Sequence, residues 1–143
     1  MKIVDVMSRF TVSVECNDDA FWRYNYTVMG SVRRAGAEVD FLKHRSEVAA
    51  VGAELGEVPA GYVKERGVRL ESAEGDELIL YIYIIPHTLP RENRTEDVAP
   101  LTLQLRVDYG KSCILKRQME INPWSGDNIE LRLNSEGVIA GEV

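Results

Sequence analysis

The side chains with the widest chemical repertoire are few here: two histidines, His44 and His87, and two cysteines, Cys16 and Cys113. Nucleophilic catalysis needs a nucleophile, a base and an orienting group brought together. A Cys–His dyad is the one version these residues allow, and the competing reading is two inert thiols in an apolar core. No Gly-x-Ser-x-Gly elbow, no CxxC or HExxH pair, no GxxxxGK[ST] and no GxGxxG occurs in the chain. Zinc chemistry and nucleotide chemistry therefore have no recognisable foothold, and no cofactor is expected. Calcium takes hard oxygen ligands, which loops can supply: Asn17, Asp18 and Asp19, then Asp76, Glu96, Asp97 and Asp127. Turns favour Asp and Asn for conformational reasons, so these positions do not by themselves predict a metal.

Recognition rather than catalysis is the other chemistry available. Trp22, Tyr24 and Tyr26 form an alternating aromatic stripe, which could stack on sugars or, more simply, belong to a core. Trp124 sits in an Asn-Pro-Trp-Ser-Gly turn and is the better candidate for an exposed aromatic. Arg117 shares the parity of Cys113, Leu115, Met119 and Ile121, so a regular strand would aim it inward. A β-bulge or an edge position would accommodate it, and a partly buried arginine at a binding site is the sharper alternative. Arg91 and Arg94 lie in the polar segment from Pro86 to Pro100, whose length marks it as a contact element.

The stretch that must position these residues is Glu77–Pro86, ELILYIYIIP. Its eight consecutive large apolar or aromatic side chains, Leu78 to Ile85, are rich in β-branched and aromatic types and predict a strand. Alternation sends Leu78, Leu80, Ile82 and Ile84 one way and Ile79, Tyr81, Tyr83 and Ile85 the other. Both faces are apolar, so the strand is expected to be covered on both sides, by core on one and by a helix, loop or partner on the other.

Other segments alternate more conventionally. Arg9–Cys16, Phe21–Met29, Ala37–Lys43, Leu101–Asp108, the run through Cys113 to Ile121, and Ile129–Leu133 all read as half-buried strands. Val68–Ser72 and Glu77–Ile85 read as a hairpin turning at Ala73–Asp76. One helix is expected over Ser46–Gly56, with Ser46 as its N-cap and Val48, Val51 and Leu55 on one stripe; it is the candidate lid over Tyr81 and Tyr83. The result is an all-β, mainly antiparallel domain: a β-sandwich or jelly-roll-like fold of about eight strands with one short helix. Residues 1–134 form the domain, and 135–143 form a tail that frays or docks.

At 143 residues the chain can bury a substantial core in one domain. Its formal charge of −6 and lack of a long basic tract disfavour a phosphate-tracking surface, so no nucleic-acid partner is expected. No apolar run is long enough to span a membrane, which takes ~20 residues. Asp5, Ser8 and Arg9 interrupt any signal-peptide core, and the expected location is the cytoplasm. The leading expectation is a non-catalytic interaction or structural module with a protein partner or self-association, using Tyr81, Tyr83, Arg91, Arg94, Trp124 and Arg117. A carbohydrate- or calcium-binding domain is the alternative.

Overall fold

The computed structural model describes residues 7–62, 67–90 and 99–142. Nine strands run in the order β1 (Ser8–Glu15), β2 (Tyr24–Arg34), β3 (Ala37–Ser46), β4 (Gly67–Gly75), β5 (Glu77–Pro86), β6 (Leu101–Tyr109), β7 (Ser112–Ile121), β8 (Asp127–Asn134) and β9 (Gly137–Glu142). They form two antiparallel sheets, β4-β1-β6-β7 and β3-β2-β5-β8-β9. The fold is a β-sandwich, as the alternating pattern predicts.

Alternation explains the core directly. Phe10, Val12 and Val14 of β1 and Leu101, Leu103, Leu105 and Val107 of β6 are buried from the smaller sheet. Tyr24, Tyr26 and Val28 of β2, Leu78, Leu80, Ile82 and Ile84 of β5, and Ile129, Leu131 and Leu133 of β8 answer them from the larger. All belong to one cluster, so the two inner faces meet as a single core. β5 is the middle strand of its sheet, flanked by β2 and β8.

Several expectations need correction. Ser46–Gly56 is not helical; beyond Ser46 it runs as turns and bends, and the helical element among the described residues is a single 3-10 turn at Asp19–Arg23. The backbone groups a helix would pair internally are taken by tertiary partners instead. Asn25 Oδ1 accepts from Val48 N–H at 2.7 Å, and Asn25 Nδ2 donates to the Ala49 carbonyl at 2.7 Å. Gly52 N–H donates to the His87 carbonyl, and Gly52 itself sits at φ +95°, which ends any right-handed helix there. The 3-10 turn also claims Phe21–Arg23, read from sequence as the start of a strand. Asp18 caps it by accepting from Ala20 N–H.

β4 and β5 are not a hairpin. The chain crosses from one sheet to the other between Gly75 and Asp76. Glycine is required at 75 by space rather than by φ, because a Cβ there would meet a Val32 methyl at 2.6 Å and the Arg33 carbonyl at 2.8 Å. Asp76 N–H donates to that same Arg33 carbonyl. Residues 137–142 of the tail form β9 along β8.

Candidate functional site

Tyr81 and Tyr83 stand on the outer face of the five-stranded sheet, and the register shows what stands beside them. One cross-sheet row reads Lys43, Met29, Tyr81, Glu130. The rows on either side read Arg45, Thr27, Tyr83, Asn128 and Phe41, Ser31, Ile79, Arg132. Ile85 lies beyond Tyr83, opposite Asn25. The centre of the face is therefore apolar, with Lys43, Arg45 and Phe41 on β3 at one side, Asn128, Glu130 and Arg132 on β8 at the other, and β9 beyond β8.

This face is not roofed by the described chain, contrary to the sequence expectation. Tyr83 is 37% exposed, Ile85 46% and Phe41 51%, while Met29, Ile79 and Tyr81 are half-buried by their own neighbours. The segment expected to be a lid reaches only the end of the face, where Asn25 pins it. An exposed apolar surface rimmed by charge is characteristic of a contact site.

The other candidate residues fall elsewhere. Arg91 and Arg94 lie outside the described residues, as do Glu96 and Asp97. Trp124 is 44% exposed in the turn between β7 and β8, whose Asn122 side chain accepts from Trp124 N–H at 2.8 Å. Gly126 of that turn, at φ +70°, packs against the Ile84 carbonyl, which sets the turn beside the Ile85 end of the face. Arg117 is in the opposite sheet, on edge strand β7, facing inward opposite Leu105. Its Nη1 is enclosed and makes no hydrogen bond among the described residues. A bulge does exist nearby, between the Leu115 and Cys113 pairings, but it re-aims Cys113 rather than Arg117. Cys113 is consequently exposed, not a core thiol.

The dyad reading gains no geometry. The Cys16 thiol is buried and donates to the Thr102 carbonyl at 3.3 Å; burial pushes its pKa up, away from the thiolate a nucleophile needs. Both ring nitrogens of His87 are engaged. The Trp22 carbonyl can only accept, so Nε2 donates to it at 2.7 Å, and Nδ1 then accepts from the Thr88 hydroxyl at 2.8 Å. The Thr88 oxygen in turn accepts from Leu55 N–H. This is a fully used structural histidine. His44 approaches the Tyr26 hydroxyl at 3.3 Å.

The acidic loops do not converge either. Asp18 and Asp127 lie at the end of the sandwich where β5 finishes, whereas Asp76 lies at the end where it begins. Asp18, Asp76 and Asp127 each accept from a backbone N–H, of Ala20, Ala35 and Asn128 respectively. Among the described residues no three His, Cys, Asp or Glu side chains group as a metal site. A cleft of about 390 Å³ lies beside Cys16, Asp18, Asp19, Phe21, Trp22, Val58 and Tyr62, joining two of those acids to an aromatic wall.

No family model, curated protein or solved structure matches this chain. Function must therefore be argued from its own surfaces. No helix among the described residues is long and apolar enough to cross a membrane.

Sequence reasoning found Tyr81 and Tyr83 through their parity on β5. It missed Phe41, Met29, Lys43 and Glu130 as their companions, because cross-strand neighbours depend on register. One signal was present: Phe41 shares its parity with Lys43 and Arg45 on a strand whose other parity carries Leu42 into the core.

Proposed function

We propose that this chain is a non-catalytic β-sandwich module that binds a protein surface on the outer face of its five-stranded sheet. The observation that carries the reading is the uncovered patch of Phe41, Met29, Ile79, Tyr81, Tyr83 and Ile85. A strand at the centre of a sandwich needs apolar residues on its inner face only; an outward Ile-Tyr-Tyr-Ile series gains its stabilisation when something else excludes water from it. Aromatic side chains suit this use, since they offer large rigid contact area with few torsions to immobilise.

Photo-crosslinking in cells tests the reading. Benzoylphenylalanine placed at Tyr83 is expected to give discrete covalent adducts to protein, while the same probe at exposed Val51, off the sheet, gives none. Absence of any adduct at Tyr83, to itself or to another protein, overturns the proposal.

A further inference from the structure

We propose that the occupant of this face is a second copy of the same chain, placed by a two-fold axis that runs parallel to the strands between β2 and β5. The inference rests on the docking role proposed above and names its partner.

Charge is ordered along one row of this face. Lys43 and Glu130 flank the Met29–Tyr81 pair, and Glu142 of β9 extends the row beyond Glu130. Three inter-strand steps of ~4.8 Å put Lys43 and Glu130 ~14 Å apart, so they cannot pair within one chain across the intervening side chains. Both are exposed, and neither has an ion-pair partner among the described residues. The row is thus polarised, positive at β3 and acidic at β8 and β9, and Lys43 and Glu130 stand at equal distances from a line between β2 and β5.

Rotation about that line exchanges left and right and preserves the row. β3 of one copy then lies over β8 of the other, and β2 over β5. Lys43 meets the second copy's Glu130, and the reciprocal pair forms by symmetry, as an isologous interface requires. Met29 meets Tyr81, a favourable sulfur–aromatic contact. In the adjoining rows Phe41 lies over Arg132, a cation–π geometry, and Arg45 over Asn128. A two-fold axis across the strands at the Tyr81 row would instead stack β3 on β3 and β8 on β8, bringing Lys43 against its own copy and Glu130 against its own, which like charge opposes. The patch is self-complementary in one orientation and self-repelling in the other.

Size agrees. The four overlaid strands at ~4.8 Å and the Glu77–Ile85 stretch at ~3.4 Å per residue give a shared face of ~600 Å², at the low end of the ~600–1,000 Å² per partner of a standard stable interface, with β9 outside the overlap. Two such faces can pack ~10 Å apart in the aligned manner that sheets adopt inside a sandwich.

Sedimentation equilibrium of the purified full chain tests this. Wild type is expected to be a dimer; Lys43→Glu and Glu130→Lys each weaken it about tenfold, since each places two like-charge pairs in every dimer. The double variant Lys43→Glu/Glu130→Lys restores wild-type affinity, because the reversed pair forms again across the axis. Circular dichroism confirms that each variant is folded before it is weighed. A wild type that stays monomeric to ~1 mM overturns self-pairing, and a dimer indifferent to the single changes or not restored by the double overturns the geometry. In either case adducts from Tyr83 to a different protein would leave the docking role standing, so the two failures are distinguishable.

Discussion

Replacing Arg117 with methionine should stabilise the fold, although it removes a charged side chain from an apparently ordinary strand. Arg117 points inward from edge strand β7, opposite Leu105, and its Nη1 is enclosed with no partner among the described residues. An unpaired buried donor costs ~1–3 kcal/mol. The residue is only half-buried, so its remaining donors reach water and the lower end of that range applies. Methionine keeps most of the aliphatic stem and its packing while deleting the orphaned group. A net gain of about 1 kcal/mol is expected, or ~2–4 °C in Tm for a chain of this size. Arg117→Ala removes the same donor but also the stem, and should fall below Arg117→Met. Urea denaturation with a constant m value measures both. A loss of 3 kcal/mol or more in Arg117→Met would refute the reasoning, since that is the ~3–5 kcal/mol signature of breaking a buried charge pair.

Three further outcomes follow from burial. The Tyr24 hydroxyl is pushed up to about 12 by burial, with Arg23 pulling the other way, from an ordinary value of 10.0. Its folded pKa is raised, so the associated stability is complete below pH 10 and is lost as pH rises towards 12. Wild type should therefore lose ~2–3 kcal/mol more than Tyr24→Phe across that window, measured by urea titrations at each pH; equal losses would contradict it. Ile84→Ala should cost ~2–5 kcal/mol, whereas Ile85→Ala, on the open face of the same strand, should stay within ~1 kcal/mol when measured at concentrations too low for association. A thiol reagent should label Cys113 in the native protein and reach Cys16 only on unfolding; two equally fast thiols would contradict the burial assignment.

The strands were legible wherever alternation was strict. Phe10, Val12, Val14 and Cys16 face the core as their spacing predicts, and so do the four alternate residues from Leu101 to Val107. The failures have a common physical origin in tertiary partners that local pattern does not carry. Ser46–Gly56 has a cap, a stripe and a stop, yet Asn25, His87 and Thr88 outcompete the helix for its backbone groups. Ala73–Asp76 has turn chemistry, but the same residues serve a corner between sheets. Cys113 keeps the parity of Leu115 in sequence and loses it to one bulged residue. Hydrophobicity on both faces of Leu78–Ile85 was plain to see, whereas its outer cover was not, because the described chain does not supply one. Tyr81 and Tyr83 were accordingly readable as a surface. The charge row that gives that surface a direction needed the pairing of four strands.

The position of β5 also sets a timetable during synthesis. β2 is already made when β5 emerges, but its other neighbour, β8, begins only after the forty residues from 87 to 126. At ~5–20 residues per second the ribosome needs ~2–8 s to deliver them. For that interval the oiliest ribbon in the protein has one bare hydrogen-bonding edge, and the nascent chain must be kept from pairing with its siblings on the same message.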